Sequence, residues 1–308
     1  MKTRSRKKIF TFVYDFNIDG YDSLEITATS EHIAGEQFST LGEQVNIALG
    51  PVGVTRRPDP RCYFVRSDGQ LICLTYFQSE KVIGFTRFVT DGKFVAVTAI
   101  PQTGGLPDQV WAIVERFSAT KRFVEVFDSE ANEFLNERSW LSLQTDCAKV
   151  YDVNGTSTTV FAGLSHLEGR QVRCVGDGAD LGLKTVAGGQ ITLADPVSRS
   201  MEIGLDYVST LETMRPAIEG QMIEGIPRSW IKLWLRLKSS FGGKLNDEPL
   251  QYTPPIDFIA PGRLFTGDKD VTSDKGFDTD GSVKFVQDQP YPMMILCMFG
   301  ELDLGDHG

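Results

Sequence analysis

Histidine is scarce: three occur in 308 residues, His32, His166 and His307, and they lie far apart along the chain. That leaves little for metal chemistry or for a triad that needs an imidazole base. No GxSxG, HExxH, Walker A or dinucleotide-binding fingerprint is present. The five cysteines (Cys62, Cys73, Cys147, Cys174, Cys297) form no CxxC pair and do not cluster with histidine. A disulfide framework and a zinc site are therefore not expected, and four of the thiols sit in apolar strand-like runs as small core residues. No stretch approaches the run of about 18 apolar residues that a spanning helix needs, so no membrane span is expected. Residues 1–8 carry five cationic side chains, but no apolar run follows them, so a secretory signal is not expected and a solvated basic tail is. Basic excess is also lacking. The formal net charge is −10, which argues against a sequence-specific nucleic-acid reader and suits a wall past which DNA slides without sticking.

What the chain has in quantity is hairpin signals. The stretch 57–128 predicts three consecutive antiparallel hairpins: 62–66 with 71–77 across Ser67-Asp68-Gly69-Gln70, 82–90 with 93–100 across Asp91-Gly92, and 109–117 with 121–127 across Ser118-Ala119-Thr120. Asp-Gly between β-branched and aromatic runs is a strong turn signal, because Gly accepts the positive φ of a tight hairpin. The two Asp-Gly turns lie about half a four-stranded propeller blade of ~40–50 residues apart. The stretch thus reads as about one and a half blades, incomplete alone, since a free-standing propeller needs about four.

Before it, 9–17 predicts an aromatic-rich strand and 21–33 a short helix capped by Asp22 or Ser23, with His32 near its C-terminus. After it, Trp140, Leu141 and Leu143 suggest a packed connection, and Asn154-Gly155 predicts a hairpin between 150–152 and 158–161. A boundary is expected at 161–166. The second half predicts short strands at 171–176, 183–186, 190–193 and 200–211, with turns at Asp177-Gly178 and Gly188-Gly189, as in a sandwich or barrel. In 230–238, Ile231, Leu233, Leu235 and Leu237 alternate with Trp230, Lys232, Trp234, Arg236 and Lys238. That pattern marks a half-buried strand, and its outer face reads either as a wet amphipathic surface or as one a partner covers. A proline-rich traverse at 249–261, strands at 283–287 and 293–299 and an acidic tail from 300 close the chain. The fold class expected is mostly β: partial β-propeller-like hairpin repeats followed by a β-sandwich/barrel domain. The division expected is 1–60 (strand, short helix, linker), 61–163 (hairpin domain) and 164–308 (sandwich or barrel).

Candidate sites are few. His166 is placed to meet Glu168, in a loop hydrogen bond rather than as a catalytic pair. Asp268, Asp270, Asp274, Asp278 and Asp280 before Gly281 resemble part of a calcium loop, but its full spacing and terminal Glu are missing, so Asx/Gly turns are expected. Paired carboxylates such as Asp278 and Asp280 are also what glycoside cleavage would use, though two residues apart in a turn they are expected to face solvent. No catalytic, cofactor or metal residue is assigned, and the chain is not expected to be an enzyme.

Taken in order, the strings Asp68-Gly69 with Leu71-Ile72-Cys73-Leu74-Thr75-Tyr76, Gly84-Phe85-Thr86-Arg87, Thr90-Asp91-Gly92, 95–101, Asp108-Gln109-Val110-Trp111 and Arg122-Phe123-Val124-Glu125 resemble phage tail nozzle proteins, also called tail tubular protein B, of short-tailed phages. The likeness resumes at 164–169, 172–177, 189–193 and 204–207, and closes with 265–268, 277–281 and 287–296. Members of that family are about twice as long, so the chain resembles their C-terminal half. The resemblance implies a virion tail protein made in the host cytoplasm. It implies a homo-oligomer, a ring of about six copies, continuing the channel for DNA ejection. Its neighbours would be a tail adaptor or tube ring and fibres or spikes, with a separate chain supplying the missing propeller half. The alternative, from another class, is a receptor- or carbohydrate-binding β-module using Trp230 and Trp234.

Overall fold

β-Branched and aromatic runs broken by Gly, Asp and Ser turns fold as strands, and no α-helix occurs among the described residues. The computed structural model describes residues 52–57, 59–77, 82–117, 121–128, 144–153, 155–216, 225–252, 264–271 and 276–305 in full. At 10–15, 20–25, 36–38, 44–46 and 49–51 it describes the strands alone. The chain divides into two compact units, Met1–Leu135 and Asn136–Gly308.

In the first unit, β1 (Phe10–Asp15) pairs with β2 (Gly20–Glu25), and β3 (Glu36–Phe38) with β4 (Gln44–Asn46). The helix expected over 21–33 is thus corrected at its start: Tyr21 stands opposite Tyr14, and the backbone groups of 20–25 are used across the hairpin. The remainder of that stretch, with His32, lies outside the described residues, as do the basic start, the 140–143 connection and His307.

β5 (Leu49–Thr55), β6 (Arg61–Arg66), β7 (Leu71–Phe77) and β8 (Val82–Phe88) form a four-stranded antiparallel meander. The Asp68-Gly69 hairpin forms as expected, with Gly69 at φ 89° donating its N–H to the Arg66 carbonyl at 3.0 Å. β9 (Lys93–Ile100), β10 (Gln109–Glu115) and β11 (Arg122–Val126) make a second, three-stranded meander. The 109–127 hairpin is as expected, Glu115 standing opposite Arg122.

The hairpin across Asp91-Gly92 is corrected. Among the described residues β8 pairs only with β7, and β9 pairs with β10, so Asp91-Gly92 carries the chain from one sheet to the next. The reason is burial. Tyr63, Val65, Leu71 and Cys73 of the first sheet close on Phe94, Val97, Val110, Ala112 and Val114 of the second, which pairing β8 with β9 would leave in one layer. Each Val, Leu or Phe side chain among them contributes about 1.5–3 kcal/mol when fully buried. Phe127 completes the layer, stacked on Phe94 and edge-on to Phe88. The crossover is clamped by Arg116, which is buried and donates to both Glu125 oxygens (2.6 and 2.7 Å), to the Thr90 hydroxyl (2.6 Å) and to the Asp91 carbonyl (3.3 Å). Gly92 is required there: a Cβ would stand 2.4 Å from the Glu115 carbonyl.

The second unit begins with β12 (Asp146–Asp152) and β13 (Thr158–Ala162), then a single 3-10 turn at Ser165–Leu167. These two strands are not the hairpin expected around residue 154, itself outside the described residues. β14 (Gln171–Gly176), β15 (Ala179–Thr185), β16 (Gln190–Val197) and β17 (Ser200–Leu205) follow, and β12 joins the sheet ordered β12-β17-β14-β15 while β13 pairs with β16. Both early strands belong with the second unit, on the far side of the 135/136 division from the hairpins. The Asp177-Gly178 turn forms as expected between β14 and β15, both residues at positive φ.

β18 (Ser209–Glu212), β19 (Arg228–Ser240), β20 (Lys244–Leu245), β21 (Glu248–Pro249), β22 (Phe265–Val271), β23 (Lys284–Gln287) and β24 (Met294–Leu304) build a facing pair of sheets, β18-β23-β20-β21 and β22-β19-β24. Leu233, Leu235 and Leu237 of β19 bury between them with Leu245, Leu250, Val283 and Phe285. The acidic tail is corrected as far as 304: Glu301 to Leu304 continue β24 along β19. Most of the 249–261 traverse lies outside the described residues. The chain is mostly β, as expected, in several antiparallel sheets, and none of those described closes into a barrel.

Candidate interaction surfaces

The residues singled out for chemistry serve the fold. Glu168 takes the N–H groups of Gly188 and Gly189 at 2.9 and 2.6 Å, so its carboxylate holds a two-glycine turn. His166 lies in the 3-10 turn beside it. The aspartates expected to share one loop are dispersed. Asp268 and Asp270 lie on β22, inside a sheet. Asp278 exchanges backbone hydrogen bonds with Arg228 at 2.9 Å and accepts the Asp280 N–H on its side chain at 3.1 Å, the Asx geometry that the sequence suggests. Asp280 pairs with Arg215, and Asp274 lies outside the described residues. Among the described residues no group of three His, Cys, Asp or Glu is placed to hold a metal ion. None of the five cysteines is in a disulfide, and burial pushes the Cys174 thiol pKa up to about 11.

Two sheet faces remain open to partners. The first is the outer side of β9-β10-β11. The inner residues of β10 alternate with Gln109, Trp111 and Ile113, which point outward. Register then places Ile100 opposite Gln109, Val126 opposite Trp111 and Val124 opposite Ile113. Ile100, Ile113, Val124 and Val126 are all exposed, Val124 at 70%. β11 is also the edge of this sheet, with β10 its one neighbour among the described residues. An apolar face next to an open edge is what subunit contacts cover.

The second is the outer side of β22-β19-β24, where the Trp-bearing strand proves more irregular than its alternation suggests. Trp230 stands opposite Leu302 and Lys232 opposite Glu301, so Ile231 is an extra residue in β19, a β-bulge. The bulge turns Ile231 outward, 58% exposed, and turns Trp230 inward. Trp230 packs against the leucine core and donates its indole N–H to the Gly281 carbonyl at 3.0 Å. The expectation that both tryptophans share an outer face is corrected. Gly300, opposite Leu233, makes room: a Cβ there would meet the Trp230 ring at 3.1 Å.

Trp234 does face outward, beside Phe299 of β24, with parallel rings 5.8 Å apart and 16° between planes. Arg236 lies over the Phe299 ring at 5.8 Å, and its guanidinium donates twice to Asp268, at 2.6 and 2.8 Å. That fork holds the Asp268 carboxyl below its ordinary range and raises the guanidinium further. Asp270 stands opposite Trp234, and Lys232 opposite Glu301, at the margins. Phe299 was not singled out in the sequence. Its pairing with Trp234 follows only from the register of β24 on β19.

No protein-family model matches the chain, and no curated protein matches it with significance.

Proposed function

We propose that the chain is a structural subunit of a phage tail nozzle, one of a ring of about six copies lining the distal channel for DNA ejection. The observation that carries this reading is the exposed apolar face on β9-β10-β11, beside an open strand edge. A subunit whose task is geometry buries such faces against its neighbours. The strings that resemble nozzle proteins fall on strands of successive sheets: 71–76 on β7, 84–87 on β8, 108–111 at the start of β10, 122–125 on β11. A four-stranded meander packed face to face on a second meander is also how neighbouring propeller blades meet, with β5 so close to β9 that a Cβ on Gly53 would stand 3.1 Å from the Thr98 backbone. The net charge of −10 supports a lumen past which DNA moves without adhering. A tail adaptor or tube ring, and fibres or spikes, are the partners this role requires.

The test is mass spectrometry with imaging of the particle that carries this chain. About six copies at a tail tip are expected. A monomer outside any particle overturns the reading.

A further inference from the structure

We infer that residues 206–208 are a hinge inside the second unit, and that Tyr291, Asp180, Arg173 and Asp206 form the latch that fixes its angle. Strands β12 to β17 and β18 to β24 are two separately built modules. Among the described residues no strand of one pairs with a strand of the other. The leucine core around β19 takes its members from residues 230–298. Val172, Cys174, Ile191, Leu193 and Ile203 are buried on strands of the first module. The chain passes from β17 to β18 through Asp206, Tyr207 and Val208, which are exposed and lie outside any strand.

A polar contact bridges the two modules. The Tyr291 hydroxyl, between β23 and β24, accepts the Asp180 N–H of β15 at 3.0 Å. Both partners are held from behind. The Tyr291 carbonyl accepts from the Gln287 side chain at 2.8 Å, and its ring stands edge-on to Phe241 with centroids 4.8 Å apart. The Asp180 carboxylate accepts from Arg173 at 3.0 Å and from the Gly182 N–H at 2.9 Å. Arg173 also grips the linker, donating to both Asp206 oxygens at 3.1 and 2.6 Å. One path of hydrogen bonds therefore runs from the second module through β15 and β14 to the first hinge residue. Opening the hinge breaks the Tyr291–Asp180 link of that path alone, because Arg173, Asp180 and Asp206 move together. A neutral hydrogen bond favours the closed state by about fivefold, enough to bias the angle and little enough to release. Two rigid cores joined through a few exposed residues are the arrangement in which hinge motion occurs.

The inference does not rest on the nozzle reading, since both modules lie in one chain and the measurement needs no ring. The test is hydrogen–deuterium exchange mass spectrometry on the full chain, read at peptides containing the Asp180 amide, together with chymotrypsin cleavage after Tyr207. Tyr291→Phe keeps the ring and removes the hydroxyl. It is expected to raise both rates about fivefold, because each follows the open population. Asp206→Asn, which loosens the linker from Arg173 and leaves Tyr291 in place, is expected to raise the cleavage. Tyr252→Phe removes a hydroxyl bonded inside the second module, to the Gly242 carbonyl at 2.9 Å, and should change neither rate. Unchanged exchange at Asp180 in Tyr291→Phe overturns the inference. So does faster exchange there with no change in cleavage after Tyr207, a rise spread equally over Asp180 and β19, or the same response to Tyr252→Phe.

Discussion

Asp177 shows how a single polar residue is used in this chain. Burial on its own would raise its carboxyl, but the backbone N–H groups of Ser198, Ser200 and Arg199 and the Ser198 hydroxyl, at 2.7–3.1 Å, outweigh it and hold the group below its ordinary range. The carboxylate thereby ties the β14–β15 turn to the loop between β16 and β17. A depressed folded value makes the contribution complete above the unfolded pKa of about 3.9 and lost as pH falls through the folded one. The gap in urea midpoint between the native chain and Asp177→Asn should therefore be wide at pH ~7 and narrow below pH ~4. A gap that stays constant across that range would show that the charge is not what binds the loop. Glu168 performs the same task at Gly188-Gly189 with two N–H groups, and Arg116 performs it in reverse, as a buried donor. In each case a chemically capable side chain is spent on backbone or on a paired charge.

At the scale of elements, β19 carries the second unit. Its thirteen residues pair with β22 on one side and β24 on the other, and its leucines fill the core. The alternation breaks at Ile231, whose bulge exchanges its place with that of Trp230. The consequence for stability is direct. Leu235→Ala empties a fully buried site and should cost about 2–5 kcal/mol, whereas Ile231→Thr, which places a hydroxyl on an exposed site four residues away, should stay within about 0.5 kcal/mol. Chemical unfolding of both variants decides it, and equal losses would place Ile231 in the core after all. The flanking strands differ in how they treat their edges. β22 points Lys269 inward over the Tyr252 ring, at 5.1 Å, a device that discourages further pairing, and burial lowers that lysine. β24 has no charge from Met294 to Gly300.

At the scale of the whole molecule, each unit has a core of its own, one between the two meanders and one around β19. What the cores leave outside is informative. Val124, the most exposed residue of the β11 face, makes no demand on the first unit's stability but lies at the centre of its apolar patch. Val124→Lys should therefore leave the stability within about 0.5 kcal/mol while dispersing, in light scattering, the ring proposed for this chain. A ring that persists would move the subunit contact elsewhere.

The strand content, the turns at Asp68-Gly69 and Asp177-Gly178 and the buried leucines of β19 could be read from the chain, because φ preference and side-chain alternation are local properties. Three matters could not. Asp91-Gly92 has the composition of a hairpin turn, and only the closing of one apolar sheet on another makes it a crossover. Trp230 and Trp234 have the spacing of one face, and only the pairing of β24, with one extra residue of β19, Ile231, between the partners of two adjacent β24 residues, separates them. Phe299 and Asp268 lie in strands distant in sequence from Trp234 and Arg236, and meet them by register alone. Local chemistry determines which segments extend. Which edges and faces those segments present is decided by how apolar area is best removed from water, and that depends on every sheet at once.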